Sequence, residues 1–200
     1  MNAQPSPNLK AEDRSAAVRA RAFALIKERS FLRGQFVLAS GKTSEYFLDM
    51  KPTMFHPEGS HVLAELLLDQ LSDVKADYVG GLALGAVPLI STLTMLSHQR
   101  GRPVSGFFVR KDVKDHGTKK LLEGLRKDES MQGKKVVIID DVTTTGGSSM
   151  IAVDAVQESG GEVILGLSVV DREQGAAETY GKRNIPFRAV FSARDFLTAS

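Results

Sequence analysis

The stretch "VVIIDDVTTTGGSSM", residues 136–150, decides how the rest of the chain is read. Four apolar residues run straight into Asp140 and Asp141, and a loop of threonines and glycines follows. An unbroken apolar run suits a strand covered on both faces, as in a parallel sheet. In open parallel sheets ligands bind past the carboxyl ends of the strands, and the paired aspartates fall at such an end. The small residues after them let backbone N–H groups approach a ligand, and a helix starting near Ser148 adds partial positive charge. That loop suits a phosphate. Two carboxylates beside it suit Mg²⁺ or sugar hydroxyls, since carboxylates accept from both. The implied ligand is a sugar phosphate. The plain alternative is a strand–turn–helix with solvated aspartates. Hydroxyl and glycine residues filling every position of 143–147 are poorly suited to mere connection.

Outward from this stretch, strands and helices alternate. The run "EVILGLSVVD" (162–171) predicts a strand, 173–183 a helix and "FRAVF" (187–191) a further strand. Upstream, "DYVGGLALG" (77–85) is a short strand running into glycines, 86–98 a helix with Pro88 in its first turn, and "PVSGFFVR" (103–110) a strand. Residues 134–140 form the strand of the opening stretch, and 148–159 a helix stopped by Gly160 and Gly161. This alternation predicts an α/β core with a mainly parallel sheet flanked by helices over 76–200. Residues 11–75 read as a smaller N-terminal subdomain: a helix at 12–29, short strands at 35–40 and 45–50, and an amphipathic helix at 57–71. Residues 1–10, polar and with two prolines, read as a disordered extension without a signal pattern.

Composition narrows the classes. The 200 residues suffice for one sizeable core. There is no cysteine, which excludes disulfides and thiolate metal sites and agrees with a cytoplasmic setting. No apolar run approaches the roughly 20 residues of a membrane span. With 26 basic against 24 acidic residues, the charge is too balanced to indicate nucleic acid. "SGKTS" is not a P-loop, because Phe36 stands where the first glycine belongs. "GGLALG" lacks the dinucleotide fingerprint, and His56, His61, His98 and His116 have no zinc-ligand spacing.

The opening stretch resembles the phosphoribosyl-pyrophosphate loop of the type I phosphoribosyltransferases: apolar strand, two acidic residues, Thr/Gly-rich turn. Three further segments narrow the resemblance to the orotate phosphoribosyltransferase family. "FFVRKDVKDHG" carries Arg110, Lys111, Lys114 and His116 and is similar to that family's mobile catalytic loop. "FVLASGKTSEYFLDMK" resembles its N-terminal element, and "VVDREQG" its Asp-Arg turn. The resemblance spans roughly residues 30 to 175. It implies a pentosyltransferase that moves phosphoribosyl from 5-phosphoribosyl 1-pyrophosphate to orotate, yielding orotidine 5′-monophosphate and pyrophosphate in pyrimidine synthesis.

The resemblance also implies roles. Asp140 and Asp141 hold the ribose hydroxyls, and Val142, Thr143, Thr144, Thr145, Gly146, Gly147 and Ser148 the 5-phosphate, with Thr144 also near orotate. Phe47, Leu48 and Arg172 bind orotate, the arginine fork matching its carboxylate. Arg110, Lys111, Lys114 and His116 offset pyrophosphate charge, Lys114 and His116 acting with the aspartates in catalysis. Mg²⁺ is held through pyrophosphate and ribose, with no direct protein ligand. A homodimer is implied, the 110–120 loop serving the neighbouring site, with no nucleic-acid or membrane partner. A fused decarboxylase domain is not expected at this length. Two positions depart from the family: Ala39 and Gly85 stand where lysines are usual. Leu84 to Ala86 then offer backbone amides to pyrophosphate instead. A purine phosphoribosyltransferase is the rival enzyme, disfavoured by Arg172. A nucleotide-sensing regulator that binds RNA or DNA is the rival from another class, disfavoured by the balanced charge.

Overall fold

In a computed structural model of the chain, residues 11–37, 41, 43–111 and 121–198 are described. The expected extension at 1–10, and with it Ala39, Lys114 and His116, lies outside them. The chain runs through α1 (Ala11–Arg29) into an antiparallel hairpin of β1 (Phe31–Val37) and β2 (Thr43–Leu48). The short α2 (Lys51–Met54) and α3 (Pro57–Gln70) follow. Pro57 opens α3, where a missing N–H costs nothing, and the His56 side chain accepts from Gly59 N. Next come β3 (Tyr78–Gly80), α4 (Val87–Gln99), β4 (Ser105–Gly106), β5 (Phe108–Val109) and β6 (Leu122–Glu123). Then follow β7 (Lys135–Thr143), α5 (Gly147–Glu158), β8 (Glu162–Asp171), α6 (Ala176–Gly181), β9 (Phe187–Ser192) and α7 (Ala193–Thr198).

Five strands pair in parallel in the order β4-β3-β7-β8-β9, as the α/β reading requires. Successive residues of a strand face opposite sides. Val137 and Ile139 therefore join the cluster made with α1, α3 and α4, while Val136 and Ile138 join the one made with α5 and Tyr180 of α6. Both faces are covered, which is why residues 136–139 of β7 and most of β8 are apolar. The first of these clusters runs continuously from Val18 and Leu63 to Leu167 and Val190, so the N-terminal helices share their core with the sheet. Glu65, buried on α3, is paired with Arg14 of α1 at 2.9 Å and with Arg100 at 2.5 Å, as a buried charge must be. The chain leaves β3 toward β4 on one side and comes back to β7 on the other. That reversal opens a crevice at the carboxyl ends of β3 and β7, where ligands of open α/β sheets bind.

Several boundaries differ from expectation. The strand expected at 103–110 divides at Phe107: β4 pairs with β3, whereas β5 pairs antiparallel with β6. The Phe107 ring lies over Gly80, 2.1 Å from where a Cβ would stand, and beyond it Val109 still bridges in parallel to Leu82 while β5 also pairs with β6. The helix expected at 173–183 is only α6, because Glu173 (φ 56°) and Gly175 (φ 104°) are left-handed and form a turn. The first hairpin strand starts at Phe31 rather than at 35, and the second ends at Leu48 rather than at 50. β7 runs on through both aspartates to Thr143, since Asp140 and Thr143 still pair with Ser168 and Asp171.

Candidate active site

Asp140 and Asp141 lie toward the carboxyl end of β7 at the reversal crevice, both partly buried. Asp140 Oδ2 accepts from Ser149 Oγ at 2.9 Å and Thr143 Oγ1 at 3.4 Å; Oδ1 accepts from Asp141 N at 3.1 Å. Burial, reinforced by the neighbouring charge of Asp141, pushes the Asp140 carboxyl up to about 7 against the opposing bond from Ser149. Burial also raises Asp141, opposed by the Val142 N–H and the charge of Lys51. The pair is poised to gain from hydroxyl donors or a cation. Asp141 lies against Gly85 at the far wall of the crevice: a Cβ on Gly85 would sit 2.8 Å from Asp141 Oδ1.

Beyond Thr143 the chain takes Thr144, Thr145 and Gly146 into α5. Gly146 is left-handed at φ 81°, a conformation that favours glycine and turns the chain sharply into the helix. Gly146 at the N-cap offers α5 no side-chain cap; Gly147 N reaches Thr145 Oγ1 at 3.4 Å, and the Ser148 amide of the first turn is open to an anion, as the helix dipole favours. Val142 and Thr144 are partly buried at the rim, while Thr145, Gly147 and Ser148 are exposed.

Arg172 follows β8, its N–H bonded to Thr143 O at 2.8 Å, which ties it to the loop after the aspartates. Its Nε donates to the Tyr46 hydroxyl at 3.0 Å and its side chain reaches Ser44 Oγ at 3.4 Å. The guanidinium also lies over the Tyr46 ring, 4.8 Å from its centroid. Tyr46 is buried and stacks on Phe31, so β2 presents Phe47 and Leu48 beside a fixed arginine. Phe47 is exposed and Leu48 partly buried. Two segments far apart in sequence are thus brought together.

Arg110 follows β5. Its N–H bonds Leu121 O at 3.0 Å, and its guanidinium lies 3.7 Å from Glu123 Oε1. With the exposed Lys111 it lines a cleft of about 290 Å³ alongside Ala83, Leu84 and Phe108. Ala83 N bonds Val109 O at 2.7 Å, which joins the base of this loop to the turn that carries Gly85. Lys114 and His116 lie outside the described residues. Of the amides expected to face pyrophosphate, Ala86 N is taken by Leu82 O at 3.3 Å; the turn's own closure consumes it. Among the described residues no group of three or more His, Cys, Asp or Glu could hold a metal. No helix among them is long and apolar enough to cross a membrane.

The sequence reading passed over Ser149, Ser44 and Tyr46. For Ser149 a signal existed: it shares a helical stripe with buried Ala152, Val153 and Val156, so its hydroxyl had to find a partner inside. Nothing local marks Tyr46 as the partner of Arg172.

No sequence model of a protein family matches the chain. It is 51% identical over 184 residues to an orotate phosphoribosyltransferase of Bradyrhizobium diazoefficiens, covering 92% of this chain and 98% of that one. Among solved structures it is similar to the Mycobacterium tuberculosis orotate phosphoribosyltransferase in complex with Fe(III) dicitrate (35% identity, TM-score 0.77; 90% and 98% of the two chains). A second structure of that enzyme, in complex with 5-phospho-α-D-ribosyl 1-diphosphate, matches at 34% identity and a TM-score of 0.74, with the same coverage.

Proposed function

The chain belongs to the orotate phosphoribosyltransferase family, and from that premise we propose that it joins orotate to the phosphoribosyl group of 5-phosphoribosyl 1-pyrophosphate (PRPP) in pyrimidine synthesis. A ring nitrogen of orotate bonds to C1 of the sugar as the C1–oxygen bond to pyrophosphate breaks, giving orotidine 5′-monophosphate. Positive charge develops on the sugar and negative charge on pyrophosphate. The protein therefore works by position and electrostatics. Asp140 and Asp141 take the ribose hydroxyls, and residues 142–148 the 5-phosphate at the α5 terminus. Thr144, Arg172 and the Phe47–Leu48 backbone orient orotate. Arg110 and Lys111, with Lys114 and His116, face pyrophosphate. The observation that carries this reading is the meeting of two carboxylates with an uncapped helix terminus while Arg172 is held beside them by Tyr46.

Mg²⁺ belongs to the proposal as an ion carried by the substrate. An ion of this kind keeps several waters and would be held mainly by phosphate and ribose oxygens. Bound there, it would supply positive charge to pyrophosphate. A homodimer in which the 110–120 loop serves the neighbouring site is also proposed, supported by family membership and by Leu84, 83% exposed at the base of that loop. The absence of cysteine supports a cytoplasmic setting. Pyrophosphate release from PRPP with Mg²⁺, offered orotate, adenine or hypoxanthine in turn, tests the reading. Release is expected with orotate alone; release driven by a purine would overturn it.

A further inference from the structure

Ser149 is 2% exposed in the first turn of α5, and its hydroxyl donates to Asp140 Oδ2 at 2.9 Å. This is the shortest of the three bonds on that carboxylate, and the only one of them from outside β7. Buried helix hydroxyls commonly return their proton to a carbonyl one turn earlier; this one reaches back to the preceding strand. Behind it stands Tyr180 of α6, 1% exposed. Its ring is pressed on Gly166, 2.3 Å from where a Cβ would stand, and stacks on Phe187 at 5.0 Å between centroids. The Tyr180 hydroxyl faces Ser149 and lies within the field of Asp140; burial pushes this phenol up to about 12, so it stays neutral. Nothing in the reaction uses either residue directly.

We propose that Ser149 is the positioning residue for Asp140: backed by Tyr180, its hydroxyl locks the carboxylate in the rotamer that meets the ribose hydroxyls of PRPP. The inference rests on the transferase reading for the identity of that sugar. The groups facing Asp140 are Asp141 and Thr143 from β7, Ser149 from α5 and Tyr180 from α6, and Lys51 of α2 acts on Asp141. A donor to Oδ2 favours the ionised carboxylate, whereas burial beside Asp141 disfavours it. Loss of the hydroxyl therefore frees the rotamer and also holds a proton on Asp140 to higher pH.

The test is calorimetric binding of PRPP with Mg²⁺ and no orotate, across about pH 6 to 9, for the wild type, Ser149→Ala and Ser149→Thr. Removing a hydrogen bond to a charged group predicts roughly tenfold weaker binding by the alanine variant near neutral pH. Its affinity should also recover only at higher pH than the wild type's, and threonine should restore both properties. Wild-type affinity in Ser149→Ala, or a loss equal at every pH, overturns the proposal, because a packing role alone does not move a titration. Orotate-dependent pyrophosphate release, run in parallel on the wild type, separates the two claims. PRPP binding without release sinks the orotate reading and leaves the Ser149 comparison standing. Failure of the wild type to bind PRPP sinks both.

Discussion

Asp140→Asn should stabilise the ligand-free protein above neutral pH while abolishing its use of PRPP. Burial and the charge of Asp141 raise the Asp140 carboxyl from 3.8 to about 7. Each unit corresponds to about 1.4 kcal/mol, so the whole shift sets a ceiling of about 4 kcal/mol. Solvent still reaches the side chain and Asp141 shares the titration, which halves the expected effect to about 2 kcal/mol. The sign follows from which state holds the proton. Below about pH 4 the carboxyl is protonated whether the chain is folded or not, and it contributes no penalty. As pH rises toward 7 the unfolded chain releases its proton and the folded one keeps it, so wild-type stability falls. Above the folded value the penalty is complete. Asparagine keeps the shape and an acceptor for Ser149 but carries no charge. Urea denaturation at pH 8 should therefore find the variant more stable by about 2 kcal/mol, equivalent to about 4–8 °C in Tm for a chain of this size. The advantage should shrink as the pH is lowered toward 4. PRPP must be absent, because a ligand stabilises whichever protein binds it. A wild type at least as stable as the variant at pH 8 would refute the reasoning, since the carboxylate would then be well accommodated without its ligand.

Two substitutions probe the rest of the site. Arg172→Ala should raise KM for orotate by roughly 10- to 100-fold, the range of a charged hydrogen-bonded contact, with a smaller change in kcat; an unchanged KM would remove Arg172 from the base site. Gly85→Ala places a Cβ 2.8 Å from Asp141 Oδ1 and should raise KM for PRPP several-fold with little change in melting, because the turn is partly exposed. Steady-state kinetics with wild-type KM would mean that Asp141 moves aside freely.

What could be read from the sequence follows from how far each feature depends on distant partners. The strand expected at 162–171 coincides with β8, because an apolar run covered on both faces announces itself locally. The end of β7 does not: Asp140 to Thr143 are extended because β8 continues beside them, and pairing is a property of the neighbour. β6 is two residues long, and α2 and α7 four and six, too short for a periodicity to register. The turn from β7 into α5 was legible because it bends through a left-handed residue, Gly146, that favours glycine. The grip of Tyr46 on Arg172 crosses 126 positions, and no local pattern encodes it.

The departure at Gly85 leaves the Asp141 side chain facing bare backbone across the crevice. A lysine at 85 would begin with a Cβ 2.8 Å from Asp141 Oδ1, and the carboxylate, the far end of a short side chain, would rotate to admit it. The positive charge that acts on Asp141 comes from Lys51, on a different element, itself paired with Asp49 at 2.7 Å. A lysine restored at 85 would add a second positive charge beside Asp141 and, opposing the burial that raises this carboxyl, should draw it back toward the ordinary carboxylate range.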